Sequence, residues 1–439
     1  MSEHSGSGLT HLKNPRTFMR YKLLRLIAIF CFGVSLSITA TAHAATYYVS
    51  VNGGSDSNPG TEAAPFKTIA RGSQKMSGGD TLLIRAGTYN EVIAPSRNGM
   101  PGAYTRYAAY PGEEVIVKAP PGTVVVFFSR TTTYVEVSDL IIDGTNATSY
   151  AVKIEGSYEK DQWPRIRLLR NDIRFGRFGI GGGGESEIIG NKIHHMKGYG
   201  IYTAGHNGLL EGNIFHDNGG YAIHHYQKHE AVNNWIIRNN VIYRNGDAYY
   251  PWYRPYYGVN KRPLPAVTLS SGRQIQFYNN LVYNNPNGGV TIGSSSRDVL
   301  LANNTIYKNG EYGVFDRSSN ARIINNISWG NSGAQILNTG ANTTLQNNLT
   351  TDPKFVNPAA GNFGIQAGSP ALDKGITVAQ VPDDFTGKKR PEGAAYDIGA
   401  FEGAGSKANV LPGMAGGLPA GGLGGAGGTG GGGLGSCYK

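Results

Sequence analysis

Between residues 150 and 350 the apolar residues come in short runs that alternate with polar ones, and the runs recur. One unit reads YAVKIEG, FGIGGGG, YGIYTAG, YAIHHYQ, PAVTLSS, GGVTIGS and YGVFDRS, with Val152, Ile180, Ile201, Ile223, Val267, Val290 and Val314 at one shared position. A second unit, as in IIRN or VLLAN, leads into an asparagine, and a third, as in VIY or TIY, follows it. The asparagine falls at 171, 191, 213, 240, 280, 304, 326 and 348, in steps of 20, 22, 27, 40, 24, 22 and 22 residues. Such runs have the period of strands and are too short for helices. A repeat of about 20–25 residues rich in β-branched side chains is a solenoid. Leucine-rich repeats share that period but require Leu at fixed positions, and these positions do not hold it. The pattern predicts an all-β chain, a right-handed parallel β-helix of two or three short strands per coil, with like residues stacked at about 4.8 Å.

In that fold the repeated Asn sits at the bend between two strands. Stacked amides form a ladder there, and Asn tolerates the left-handed backbone that a tight bend requires. These asparagines are therefore read as structural and not as ligands.

The ends do not share the repeat. Residues 19–44 place basic residues before an apolar stretch that ends in Ala-His-Ala, which reads as a secretory signal cut after Ala44, with Met19 a candidate start. The formal charge is +10; residues 1–44 carry five Lys/Arg and one Glu, so about +6 remains without them. That balance suits an acidic glycan or simply a soluble surface, and no basic run or nucleic-acid module accompanies it. Cys31 and Cys437 are the two cysteines, so no disulfide framework is expected. Residues 403–436 are Gly-rich and cannot bury enough apolar surface to offset their ordering, so the sequence predicts a flexible tail and a possible tether to the cell envelope. The expected setting is periplasmic, cell-surface or extracellular, and the expected state a monomer.

A solenoid needs its ends covered. Residues 45–93 contain TYYVS, GSDSNPGT, APFKTI, GDTLLI and GTYNE, with a short helix expected from Pro65 to Met76 (Phe66, Ile69 and Ala70 on one face) and a strand at Thr81–Ile84. This block resembles the amino-terminal cap of secreted β-helix proteins of the pectate lyase superfamily, of the larger family 9 type. Residues 369–402, with SPALDKG and DIGAFE, resemble the closing segment of exported bacterial β-helix proteins. Residues 351–402 are accordingly expected to cap the far end. The resemblance implies action on a uronate polysaccharide, such as pectate or alginate, and allows calcium as a cofactor.

Fold analogy places substrate across one strand face, between loops that leave the coil. The 40-residue step hides an insertion of roughly 18 residues over the solenoid period. That loop, 246–264, holds Trp252, Arg254, Tyr256, Lys261 and Arg262, and aromatic faces and Arg forks suit sugar rings and carboxylates. It leads into the next strand of the YGI type. If Val and Ile point inward there, one outward column is Lys153, Gly181, Tyr202, His224, Thr268, Thr291 and Phe315. A second is Glu155, Gly183, Ala204, Tyr226, Ser270, Gly293 and Arg317, with Lys228 in the following turn. His225 is expected inward, buried and hydrogen-bonded.

These groups suit β-elimination, which needs a base for the C5 proton, a cation at the carboxylate and a donor for the leaving oxygen. His224 or Lys228 is the candidate base, His because its ordinary pKa lies near neutrality. Tyr226 or Tyr202 is the candidate acid, and Arg254 or Arg317 the carboxylate clamp. Lys153, Trp252, Tyr256, Lys261 and Arg262 complete the binding set. His194 and His216 fall in a column continued by Tyr243, Tyr283, Tyr307 and Trp329, which reads as a structural stack; a zinc site from His194, His195, His206 and His216 lacks diagnostic spacing. The outward columns offer Glu155 as their one carboxylate, which disfavours hydrolysis and leaves the family's calcium cluster unmatched. The leading reading is an exported lyase of an acidic glycan. The alternatives are a non-catalytic carbohydrate-binding adhesin, a uronate C5-epimerase and a glycoside hydrolase.

Overall fold

A computed structural model describes residues 44–157, 162–226, 233–246 and 264–405. Residues 1–43 (which include most of the expected signal segment), Lys228, loop residues Trp252, Arg254, Tyr256, Lys261 and Arg262, and residues 406–439 lie outside the described residues. No described helix is long and apolar enough to cross a membrane.

Three parallel sheets run the length of the chain, and each coil contributes one strand to each. The first sheet runs from Thr46–Val49 to Thr344–Gln346 and contains the strands that precede the Asn. The second runs from Gly87–Tyr89 to Ile327–Trp329 and contains those that follow it. The third runs from Val126–Phe128 to Ala334–Asn338 and contains the YGI-type strands. Register stacks like on like: Ile180 pairs with Ile201, Ile201 with Ile223, Ile223 with Val267, Val267 with Val290 and Val290 with Val314. All are fully buried, so the expected inward column is observed. The fold is the right-handed parallel β-helix that the repeat predicts.

Asparagine ladders hold two of the three corners of the coil. In the expected ladder, Asn240 Oδ1 accepts from the backbone N–H and the Nδ2 of Asn213 at 2.9 and 3.0 Å. Asn280 does the same for Asn240 at 3.0 Å each, and the chain of bonds continues through Asn304 and Asn326 to Asn348. One detail differs from expectation. The left-handed residue is the one before the ladder Asn, namely Arg170, Gly190, Gly212, Asn239, Asn279, Asn303, Asn325 and Asn347. This explains the Asn-Asn pairs: the first residue takes the positive φ and the second builds the ladder. A second ladder, Asn218–Asn245–Asn285–Asn309–Asn331, holds the next corner by the same bonds. Its members lie five residues after the first set, a spacing visible in NNVIYRN and NNTIYKN but not used in the sequence reading.

The first coil is closed. The helix is Ile69–Lys75, shorter than expected, because the Thr68 side chain caps it by accepting from the Arg71 N–H at 3.1 Å. Phe66 lies outside it and bridges Val49 as a strand residue, while Ala70 is exposed. Glu91 accepts from the Ile69 and Ala70 N–H groups at 3.0 Å each, where a carboxylate also meets the helix dipole.

The expected far cap is a correction. Residues 351–402 do not cross the end of the solenoid but lie along its flank. Phe355, Phe363, Ile365, Ala371, Ile398, Ala400 and Phe401 pack with Val241, Leu281, Tyr283 and Ile327 on the outside of the second sheet. Val378 and Val381 pack with Tyr278, Leu300, Ala302 and Ile324 on the first. The motif residues clamp this segment. Glu402 accepts from the N–H groups of Glu392 and Asp397 at 3.1 Å each and pairs with Arg390, and both side chains of that pair are buried. Asp373 and Asp397 tie the two motif stretches together: the Asp373 N–H donates to Asp397 at 2.7 Å, and the Ala395 N–H to Asp373 at 3.0 Å.

Candidate functional site

The third sheet places its outward residues as the alternation predicts. Lys153 pairs with Gly181, Gly181 with Tyr202, Tyr202 with His224, His224 with Thr268, Thr268 with Thr291 and Thr291 with Phe315. Three of the predicted site residues come together. The His224 ring lies edge-on to Tyr202, centroids 4.7 Å apart, and 6.4 Å from Tyr226; Tyr202 and Tyr226 are 6.2 Å apart.

Two residues that sequence reasoning missed complete the cluster. Tyr221 lies 4.9 Å and Tyr199 5.4 Å from His224. They belong to an aromatic column, Tyr150–Phe178–Tyr199–Tyr221, with centroid steps of 5.3, 5.0 and 5.0 Å. The signal was the leading aromatic of the YAV, FGI, YGI and YAI motifs, two residues before the inward position. Gly181 makes room for this stripe, since a Cβ there would stand 2.6 Å from Tyr150 Cε1.

The expectation that His224 titrates near neutrality is also corrected. The ring is largely buried under its tyrosines, and burial pushes its pKa down to about 4. Nε2 lies 3.0 Å from Ser270 Oγ, and Nδ1 is buried with no hydrogen-bond partner among the described residues. The imidazole is therefore neutral at pH 7. His225 points inward as expected and is fully buried. Asn233 Nδ2 donates to its Nε2 at 2.7 Å, which leaves Nδ1–H to donate to Thr203 Oγ1 at 2.7 Å; burial lowers its pKa to about 3.

Other predicted groups stand apart. Lys153 lies three coils before His224 and Phe315–Arg317 three coils after it, each about 14 Å away at the parallel-strand spacing. The Lys153 ammonium sits over the Tyr150 ring at 4.8 Å, and burial lowers its pKa. Arg177, also missed, stacks over Phe178 at 4.9 Å, so one end of the stripe carries two cations. Arg317 is exposed and lies over Phe315 at 5.5 Å. The described carboxylates do not converge on this face: Glu155 approaches Arg130 at 3.7 Å, Glu211 binds Arg238 at 2.9 Å, and Glu185 binds His206 at 3.0 Å.

The expected His and Tyr column forms a stack. His194, His216, Tyr243 and Tyr283 are near-parallel at 4.7, 5.2 and 5.4 Å on the second sheet. His195, His216 and Asp217 bring ligand atoms within 4.8 Å of one another. Asp217 already binds Arg244 and lies 2.7 Å from His216 Nδ1, so the guanidinium supplies the positive charge that a metal would bring. His206 is at another corner, with Glu185. A groove of about 360 Å³ on the first sheet is lined by amides, with Asp298 and Arg322, and offers no imidazole or phenol.

Comparison with known proteins adds the following. The family model described as right handed beta helix region matches residues 127–261 and 259–371. The uncharacterized protein YwoF of Bacillus subtilis (strain 168) is 30% identical over 132 residues, which are 29% of this chain and 28% of that protein. This chain thus spans well under half the length of that relative. Among solved structures, pectate lyase Pel9A is similar with a TM-score of 0.56 at 18% identity, over 82% of this chain and 96% of that one. A rhamnogalacturonan lyase is similar with a TM-score of 0.49 at 16% identity, over 79% and 99%. At these identities the likeness is one of fold.

Proposed function

The chain belongs to the right-handed β-helix family, and from that premise we propose that it is an exported polysaccharide-active enzyme, a lyase that cleaves a uronate-containing glycan by β-elimination. The observation that carries the reading is the aromatic stripe Tyr150–Phe178–Tyr199–Tyr221, with Tyr202 and Tyr226 gathered around His224 on the third sheet. Aromatic faces in a row suit the apolar faces of successive sugar rings. Lys153 and Arg177 at one end, and a net charge of about +6 without the leader, suit a polyanion.

In the proposed reaction a base takes the C5 proton, its electrons form the C4=C5 double bond, the C4–O bond breaks, and the leaving oxygen takes a proton. His224 is neutral and so able to accept a proton. A uronate carboxylate beside it would favour the imidazolium and raise its pKa toward the working range. Tyr202 or Tyr226 is the proton donor. The carboxylate clamp is assigned to the cations of loop 246–264, with Lys228 as the alternative base.

A second reading, a carbohydrate-binding protein without turnover, is favoured by one observation: burial depresses the His224 pKa to about 4, and no described cation lies beside it. One experiment separates the two. The purified chain is incubated with pectate, alginate and glycosaminoglycans, with and without calcium, and the ultraviolet absorbance of unsaturated uronides is followed. A rise on one substrate supports the lyase. Binding without a rise supports the adhesin, unless proton exchange at C5 reveals an epimerase.

A further inference from the structure

The two ends of the solenoid differ. At the first coil Phe66, Ile69 and Met76 are buried beneath the cap. At the last, Ala334–Asn338 ends the third sheet and Thr344–Gln346 ends the first, and no described strand pairs with their outer edges. Leu345 stacks in register on Ile323, a core residue that is fully buried, yet Leu345 is 49% exposed. On the third sheet Ile336, stacked on the buried Val314, is only partly buried, and Leu337, which continues the outward column from Phe315, is 40% exposed. A core column therefore runs out into water, because residues 351–402 lie on the flank.

Open strand edges in proteins are ordinarily protected by charge, proline or a bulge. Here residues 332–351, SGAQILNTGANTTLQNNLTT, contain no charged residue and no proline. The coil before carries Glu311, Asp316, Arg317 and Arg322. An unprotected edge with a half-exposed leucine over the core has the character of a buried layer.

We propose that this end is an interface with a second copy of the chain, joined end to end about a two-fold axis. Such an axis brings the edge strands together antiparallel, so that each row of free N–H and C=O groups meets a complementary row. The neutral surface meets itself without repulsion, and Leu345 and Ile336 are covered. The terminal coil, with its 22-residue step from Asn326 to Asn348, is close in size to the about 20–30 residues a side of a standard interface. The remaining segment of this chain fits less well: beyond Gly405, whose N–H is held by Ile365 at 2.8 Å, it is Gly-rich and a poor strand former. The proposal stands in place of the monomer expected from sequence.

The test is sedimentation and light scattering of the full chain over a range of concentrations. The expected result is a reversible dimer, reduced to half its mass by Leu345→Arg with Leu337→Lys. Both positions are partly exposed, so the variant should keep the wild-type circular dichroism and melting curve. Hydrogen exchange across 334–346 should slow as concentration rises. A wild-type monomer at every concentration, a dimer that survives the double substitution, or a ladder of longer species from head-to-tail stacking would overturn the proposal. So would protection of 334–346 that is independent of concentration and lost on truncation after Gly405, since the tail would then be the occupant.

Discussion

Replacing Asn280 by Ala removes one rung from the middle of a ladder. Its Oδ1 is the acceptor for the Asn240 N–H and Nδ2, each at 3.0 Å, and its Nδ2 donates to Ile237 O at 2.9 Å, Tyr278 O at 3.0 Å and Asn304 Oδ1 at 3.1 Å. Asn280 is fully buried, so water does not replace these bonds. Asn240 Nδ2 keeps Leu210 O and Arg238 O, and Tyr278 O keeps the Asn239 N–H. The Asn240 N–H and one bond at Ile237 O are lost outright. At about 1–3 kcal/mol for each unsatisfied buried group, the expected loss is about 2–6 kcal/mol, a large share of an ordinary folding free energy. Asn348→Ala is the internal control: it ends the same ladder but is only partly buried, so solvent can serve its neighbours and the loss should be about 1 kcal/mol or less. Urea unfolding followed by tryptophan fluorescence gives both values. Because solenoid coils couple chiefly to their neighbours, hydrogen exchange should localise the loss around coils 240–304. Equal effects of the two substitutions, or less than about 1 kcal/mol for Asn280→Ala, would refute the view that the ladder carries the corners.

Stability should fall as pH drops from about 6.5 to about 3. His225 is neutral in the folded protein down to about pH 3, whereas the unfolded chain binds a proton near 6.5, so its contribution is full above 6.5 and lost below. The loss is on the order of 4 kcal/mol at the acid end, with His224 acting in the same sense, and His225→Gln should flatten the slope of urea midpoint against pH between 4 and 6.5. Gly181→Ala should force the Tyr150 ring aside and weaken glycan binding by up to about tenfold, read by calorimetry, with the melting temperature little changed. Arg390→Met leaves Glu402 buried without its partner and should cost about 3–5 kcal/mol, with the flank segment 351–402 becoming protease-sensitive first.

The coil was legible in the sequence because each position repeats in one environment, and stacking turns that repetition into columns. Periodicity identified Val152 through Val314 as inward, His225 as buried and the His194–His216–Tyr243–Tyr283 column as a stack, and the structure agrees at each. What was not legible depended on relations between columns. Alternation shows that His224 points outward but not that Tyr199 and Tyr221, from the adjacent column, cover it, and this cover is what lowers its pKa. The left-handed residue was placed one position late because Asn occupies both positions of most bends. Residues 351–402 carry a recognisable motif, yet Asp397 and Glu402 serve an internal clamp, and the segment's apolar residues pack against the outward aromatic column of the second sheet. A lone segment does not reveal which surface it covers.

The most direct test of the account is to measure turnover and binding side by side in wild type and His224→Ala, on whichever uronate glycan gives an ultraviolet rise. The account predicts that turnover falls by at least about 100-fold, while binding on the Tyr150–Tyr221 stripe stays within a few-fold. A His224→Ala enzyme that eliminates at the wild-type rate would contradict it and move the chemistry to another base.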